Sequence, residues 1–121
     1  MSTKNDIRNA TLGAEKKFRR ETVTIGEHEV EVRQPSIRSR KELINSVTNE
    51  FGEIDNMEFY VRAVIHCTYT LDTNERVFDE TDYESIMEQP TGGWVDEIAT
   101  KALDLINSGS FEGKLEVSSE T

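Results

Sequence analysis

The sequence predicts one small α+β domain, in which an N-terminal β-hairpin packs against three to four helices between two mobile ends. Length and composition give the first observation, since 121 residues with 35% hydrophobic residues can build one modest core and hardly two. The second is that two short segments alternate apolar and polar residues, as half-buried strands do. The third is that later segments repeat apolar residues at helical spacing.

The hairpin is predicted from residues 22–25 and 30–33, which read TVTI and VEVR. Gly26 can supply the positive φ that the first central position of a tight turn requires, and this turn places Val23 opposite Val30. Glu29 and Glu31 are expected to stay in water. The side chains expected to face the core are Val23, Ile25, Val30 and Val32.

Two helices are predicted after the hairpin. Ser36 caps the first, and Gly52 ends it in a left-handed conformation. Its apolar positions are Ile37, Leu43, Ile44, Val47 and Phe51. Asp55 caps the second, with Glu58 three residues later. This second helix is the most apolar of the chain and should form the centre of the core. The residues that repeat at helical spacing along it are Met57, Tyr60, Val61, Val64, Ile65 and Thr68.

A short strand at residues 77–78 is predicted next, followed by a helix over residues 82–88. Thr81 and Glu84 have the spacing of a capping box at its start, and Pro90 ends it. A last helix is anchored by Trp94 and stops at residues 107–110. The predicted core of the whole domain is Val23, Ile25, Val30, Val32, Ile44, Val61, Val64, Ile65, Phe78, Ile98 and Leu105.

The charge distribution divides the chain into three parts: a basic flexible arm at residues 1–21, the domain at residues 22–107, and a disordered acidic tail at residues 108–121. The net charge is −10, yet residues 1–20 hold six Lys or Arg against Asp6 and Glu15, a balance of +4 that leaves −14 for the rest. A body with this charge repels nucleic acid and acidic lipid, so neither is an expected partner. A basic protein surface is a better match for this charge, and a solvated acidic face or a salt-tolerant source organism explains the charge equally well.

Cellular location is predicted from cysteine usage and hydropathy. Cys67 is the one cysteine, so no intramolecular disulfide can form, and an intracellular protein is expected. The start of the chain lacks the apolar run of a signal peptide, and no stretch approaches the ~18 apolar residues of a membrane span. We therefore expect a soluble protein that does not associate with membranes.

No catalytic, cofactor or metal site is predicted. Asp72 and Asn74 could open an EF-hand calcium loop, but the twelfth position is Tyr83 where a bidentate Glu is required. His66 and Cys67 are adjacent on a helix, so their side chains diverge by about 100° and cannot ligate one ion or act as base and nucleophile. An acid–base hydrolase using surface carboxylates is a third-ranked hypothesis, because no spacing indicates a catalytic pair.

The order of motifs resembles the tail assembly chaperones of long-tailed, siphovirus-like bacterial or archaeal viruses. The hairpin ends in the pattern V-x-V-R-x-P-[ST], here Val30 to Ser36, and leads into a helix that begins with two arginines at positions 38 and 40. An F-x-x-x-D segment then precedes a short helix, and here these residues are Phe78 and Asp82. The resemblance covers residues 22–107 by element order.

This resemblance implies a non-enzymatic protein that binds the tape measure protein, keeps it soluble and helps recruit tail tube subunits. It implies a location in the host cytoplasm and absence from the finished virion, and it is compatible with a homo-oligomer. A holder of a long amphipathic helix needs an exposed apolar groove rimmed by charge. The candidate partner-binding residues are Phe51, Met57, Tyr60 and Met87, because Met and aromatic side chains anchor varied apolar partners.

Each of these four residues either binds a partner or is an ordinary member of the core, and the sequence leaves both interpretations open. The function also has an alternative in another class. A structural virion component, such as a tail completion or connector protein, would use its mobile ends in assembly. Particle content separates the two functions, because a structural component is present in finished virions and a chaperone is absent.

Overall fold

The computed structural model describes residues 1–71 and 73–107. The chain has an α+β fold, as predicted, with a three-stranded antiparallel sheet in the order β1-β2-β3 and helices packed against it. The elements in chain order are α1 (Lys4–Thr11), β1 (Arg20–Ile25), β2 (His28–Arg33), α2 (Ile37–Ser46), α3 (Asn56–Cys67), β3 (Thr68–Thr70), a 3-10 turn (Glu80–Asp82), α4 (Tyr83–Met87) and α5 (Trp94–Glu120). The side chains of α5 are described as far as Asn107.

The predicted hairpin is confirmed, including its register. Val23 pairs with Val30, and Gly26 has a φ of +63°, as the first central position of a two-residue turn requires. Val23 and Val32 are fully buried, while Ile25 and Val30 are half-buried against the same core. The period-2 pattern therefore predicted correctly which face of the hairpin is covered.

The core lies between the sheet, α3 and α5. Helix α3 packs against α5, and α5 also contacts β1 and β2. Trp94 anchors the start of α5 as predicted, with its ring stacked on Phe78 at 5.5 Å between centroids. The buried members of the core cluster are Val23, Val32, Leu43, Val61, Ala63, Val64, Ile65, Cys67, Ile86, Val95, Ile98, Ala99, Ala102, Leu105 and Ile106.

One predicted core residue is wrong. Ile44 is only partly buried, and the neighbouring Leu43 is the fully buried residue of α2. Helix α2 is also shorter than predicted, because it ends at Ser46 and not near Phe51. The Asn49 Oδ1 accepts hydrogen bonds from the backbone N–H groups of Phe51 and Glu53, both at 2.9 Å. A side chain that bonds to nearby backbone in this way stabilises a turn at the expense of a helix.

Gly52 has the left-handed φ of +80° that was predicted for it, but it lies within this turn and does not end a helix. The turn is closed by a β-bridge between Thr48 and Ile54. Asp55 then caps α3 as predicted, since its carboxylate accepts from the N–H groups of Met57 and Glu58 at 3.1 Å.

The third strand was predicted at the wrong place. Residues 77–78 form no strand, and β3 consists of residues 68–70, directly after α3. Residue 68 was assigned to the helix, but its backbone is extended there, and two threonines flanking a tyrosine favour a strand. Arg76 contributes one bridge to Tyr69, which brings the chain back beside β3.

The capping box predicted at Thr81 and Glu84 is also wrong. Asp79 and Asp82 form the capping box, around the 3-10 turn that precedes α4. Asp79 accepts from the Thr81 N–H at 2.9 Å, so the aspartate two residues earlier takes the capping role. The short helix itself is confirmed at residues 83–87.

Glu31 was expected in water but is buried, with a relative exposure of 6%. Strand β2 is the central strand, so Glu31 lies between Thr22 on β1 and Tyr69 on β3. Its carboxylate forms ion pairs with Arg33 and with Arg20, the latter at 3.4 Å. The Arg33 guanidinium also stacks on the Tyr69 ring, 4.4 Å from its centroid, and this layer shields the carboxylate from solvent.

The first part of the chain contains a helix that was not predicted. Helix α1 has a complete capping box between Thr3 and Asp6, yet it buries no residue. Strand β1 begins at Arg20, nine residues after α1 ends at Thr11. The predicted helix end at residues 107–110 and the disordered tail at residues 108–121 fall outside the described residues. In the part of the chain that is described, no helix has the length and hydropathy needed to cross a membrane.

Candidate functional site

An apolar groove lies where the beginnings of α3 and α5 meet α4, and we call it the α3–α4–α5 groove. Met57, Tyr60 and Val61 of α3 form one wall, Ile86 and Met87 of α4 form the second, and Val95 at the start of α5 forms the floor. The turn between α4 and α5 completes it, through Gln89, Pro90, Thr91 and Asp96. Three of the four candidate partner-binding residues, Met57, Tyr60 and Met87, therefore line one groove.

The exposure of these side chains differs from that of core residues. Met57 is 63% exposed and Met87 is 44% exposed, whereas Ile86 and Val95 beneath them are buried. Tyr60 is half-buried and packs against the core. The groove thus has an exposed rim of flexible thioethers over a rigid apolar floor, which is the arrangement expected of an adaptable apolar binding surface.

A hydrogen-bond network fixes the shape of the groove. The Tyr60 hydroxyl donates to the Asp96 carboxylate at 2.5 Å, and this carboxylate also accepts from the Gly92 backbone N–H. Gly92 has a φ of +80°, which a residue with a side chain adopts only with strain. One carboxylate therefore joins α3, α5 and the turn before α5, and it holds the walls of the groove together.

The pKa values of this pair are shifted in the directions that the network predicts. Desolvation, and then the hydrogen bond to Asp96, raise the pKa of Tyr60 above its usual value. The hydrogen bonds from Tyr60 and from the Gly92 N–H lower the pKa of Asp96. At neutral pH the pair is therefore a neutral phenol bound to a charged carboxylate, a state suited to holding structure.

The surroundings of the groove are strongly acidic. The segments that form its walls and rim, residues 55–61 and 82–97, contain no Lys or Arg. They contain seven acidic residues: Asp55, Glu58, Asp82, Glu84, Glu88, Asp96 and Glu97. Glu58 pairs with a cation outside these segments, since Arg62 contacts it at 3.1 Å. A ligand of the groove is thus expected to combine apolar side chains with positive charge.

The size of the groove indicates the kind of ligand. Its volume is about 100 Å³, whereas pockets for small molecules and cofactors typically have ~300–1,000 Å³. A volume of this size suits one or two apolar side chains of a protein partner, and a helix laid in a groove presents such anchors at successive turns.

Phe51 lies elsewhere. It is 78% exposed in the turn between α2 and α3, and it does not line the groove. Phe51 was grouped with the other three by residue type, since Met and aromatic side chains anchor varied apolar partners. The helix that was predicted to reach residue 51 ends at Ser46. An exposed aromatic in a turn stabilised by Asn49 is still available for a contact, but the structure does not bring it to this site.

A second hollow of about 190 Å³ lies at the other end of α3, lined by residues that include Phe18, Arg33, Pro35, His66 and Tyr69. Arg33 is already engaged there by Glu31, by the Asn74 Oδ1 at 2.9 Å and by the Thr73 carbonyl at 3.1 Å. Burial lowers the pKa of His66, which favours its neutral form, and its Nε2 lies 3.4 Å from Glu80. This hollow is thus a structural junction between the arm, the sheet and α3.

Cys67, which was considered as a nucleophile or metal ligand, has a structural role. Cys67 is fully buried, and burial raises its pKa to about 12, so the thiol stays protonated at neutral pH. A protonated buried thiol is a poor nucleophile and a poor metal ligand. Among the described residues, no three His, Cys, Asp or Glu side chains are grouped as a metal site would require.

The chain was compared with protein families, curated proteins and solved structures. No protein-family model matches the chain, and no curated protein matches it. Among solved structures, that of the bacteriophage HK97 tail assembly chaperone is similar, at 22% sequence identity and a TM-score of 0.45. The similarity covers 87% of this chain and 100% of that chain.

Proposed function

We propose that this protein is a viral tail assembly chaperone, which binds the tape measure protein, keeps it soluble and helps recruit tail tube subunits without catalysing a reaction. The observation that carries the proposal is the α3–α4–α5 groove, whose exposed Met57 and Met87 stand over a buried apolar floor. The order of motifs in the sequence, from Val30 to Asp82, supports the same family.

The groove suits a helical ligand better than it suits a substrate. It contains no nucleophile–base pair, and its one perturbed acidic group, Asp96, has a lowered pKa and two hydrogen bonds that hold the fold. A long helical protein exposes apolar side chains until its final partners cover them, and an apolar groove covers them reversibly. Binding therefore prevents aggregation without chemistry, and it takes place in the host cytoplasm before the tail is complete.

Co-expression with the tape measure protein of the same virus tests the proposal. The wild-type chain should raise the soluble fraction of the tape measure protein and co-purify with it. A double variant, Met57→Glu with Met87→Glu, should weaken the complex at least ~30-fold, since it places two charges where apolar anchors bind. Both side chains are exposed at 63% and 44%, so the variant should still fold.

Ile37→Glu is the matched control, because Ile37 is 80% exposed on α2 and does not line the groove. It should bind as the wild type does. If the wild-type chain forms no complex and gives no gain in solubility, the chaperone proposal fails and the structural virion component becomes the better account. Mass spectrometry of purified particles then checks that alternative, which requires the protein in stoichiometric amounts.

A further inference from the structure

The turn between α2 and α3 presents two apolar side chains that the domain does not use for packing. Phe51 is 78% exposed and Ile54 is 43% exposed, and neither belongs to the core cluster or packs against it. Residues 48–54, which we call the 48–54 turn, nevertheless have a fixed backbone, because a β-bridge joins Thr48 to Ile54. A fixed turn that holds an aromatic side chain in water is a candidate anchor for a partner.

The bonds that fix this turn do not involve the ring of Phe51. The Asn49 Oδ1 accepts from the N–H groups of Phe51 and Glu53 at 2.9 Å, and the Asn49 Nδ2 donates to the Glu53 carboxylate at 3.1 Å. The Asn49 N–H also donates to the Glu53 carbonyl at 2.8 Å, and the Gly52 N–H donates to the Asn49 carbonyl at 3.0 Å. Because the turn is ordered without a ligand, a contact through Phe51 loses little conformational entropy.

The turn adjoins the α3–α4–α5 groove at Met57. An open hollow of about 440 Å³ joins the turn to the first residues of α3, and its lining includes Asn49, Ile54 and Glu58. Met57 directly precedes Glu58 and lies on the exposed rim of the groove. Three residues of chain span at most about 11 Å, so Ile54 lies within about two helical turns of Met57, and Phe51 lies within about four.

The charge around the turn has the same sign as the charge around the groove. Residues 42–61, from the second half of α2 into α3, contain no Lys or Arg. They contain five acidic residues: Glu42, Glu50, Glu53, Asp55 and Glu58. A basic amphipathic helix therefore matches both surfaces, whereas the domain of a second copy carries the same negative charge and is repelled.

We propose that the 48–54 turn is a second contact for the ligand of the α3–α4–α5 groove, and that this ligand is one basic amphipathic helix of about 15 residues. Its apolar side chains contact Phe51 and Ile54 at one end and enter the groove at the other, with Met57 between the two contacts. Its Lys and Arg side chains face the acidic residues beside them. The inference rests on the proposed function, since it specifies the segment that the groove binds.

A synthetic peptide tests this inference on the full chain. The probe has about 18 residues, all Leu or Lys, with the leucines on one face of the helix, and its control has the same composition in scrambled order. Titration calorimetry should show one helical peptide bound per chain, at least ~10-fold tighter than the scrambled peptide. A peptide with Glu in place of Lys should not bind, because the surface is acidic.

Variants of the chain locate the contact. Phe51→Ala and Met57→Ala should each weaken binding of the helical peptide about 10-fold, since each removes one anchor. Ile37→Ala is the matched control, because Ile37 is 80% exposed on α2, and it should bind as the wild type does. The thermal unfolding of Phe51→Ala should match that of the wild type, since the Phe51 side chain lies outside the core.

Several results would overturn the inference. They are a helical peptide that binds no tighter than the scrambled one, two peptides bound per chain, or a Phe51→Ala variant that binds as Ile37→Ala does. A changed mass of the free Phe51→Ala chain in light scattering would also overturn it, because the turn would then contact a second copy. A tape measure complex that Phe51→Ala leaves unchanged rejects this inference and leaves the proposed function standing. A chain that forms no such complex, yet binds the peptide as described, rejects only the identity of the partner.

Discussion

Replacing Ile98 with alanine is expected to lower the free energy of unfolding by about 2–5 kcal/mol. Ile98 is completely buried on α5, the helix that packs on both α3 and the sheet. The change removes three methyl or methylene groups and leaves a cavity that neighbouring side chains fill only partly. Small domains have a total stability of ~5–15 kcal/mol, so this one substitution takes a large share of it.

Urea denaturation followed by circular dichroism measures the effect, with Ile37→Ala as the matched control. Ile37 undergoes the same chemical change at 80% exposure, so it should alter the unfolding free energy by less than about 0.5 kcal/mol. Equal losses for the two variants would contradict the placement of α5 at the centre of the core.

Replacing Glu31 with alanine is expected to cost about 3 kcal/mol of unfolding free energy. The carboxylate is buried and pairs with Arg33, whose side chain is only 15% exposed, so its removal leaves a guanidinium without its countercharge. The loss should lie at the lower end of the range for broken buried pairs, because Arg33 keeps its bonds to Asn74 and to the Thr73 carbonyl.

Glu29→Ala is the control for this prediction. Glu29 lies on the same strand and undergoes the same change, but its side chain is exposed opposite Thr24. Thermal and urea unfolding at neutral pH should show little change for Glu29→Ala. If both variants lose equal stability, the loss reflects strand propensity, and the ion pairs of Glu31 contribute nothing measurable.

The sequence predicted the hairpin and the apolar helices well because their signals are local. A glycine at position 26 and alternation on both sides of it determine the register of β1 and β2 without any distant contact. Asp55 and Trp94 likewise mark the starts of α3 and α5 through caps and anchors close in sequence.

The incorrect predictions concern features that depend on contacts beyond the local sequence pattern. Glu31 is buried because β3 pairs on the far side of β2 and because Arg33 and Tyr69 cover that face, neither of which alternation can reveal. The strand at residues 68–70 follows α3 without a loop. The helical spacing of residues therefore continues to residue 68, which the sequence predicted as part of the helix. Asn49 ended α2 early through a side-chain bond that competes with the helix, and this moved Phe51 away from the groove.

The candidate site was predictable in part. Met57, Tyr60 and Met87 were chosen by residue type, and the fold brings these three together from two helices, although Met87 lies 27 positions after Tyr60 in the sequence. Their assembly depends on the bond from Tyr60 to Asp96 and on the turn at Gly92, which no local pattern indicated.

Hydrogen exchange of the chain with and without the tape measure protein tests the central claim most directly, because it locates the bound surface. We expect slower exchange in residues 55–61 and 83–97, which form the α3–α4–α5 groove, and unchanged exchange at the hairpin turn beside Gly26. Protection confined to another face of the domain, or no protection in a complex that does form, would contradict the assignment of this groove as the binding site.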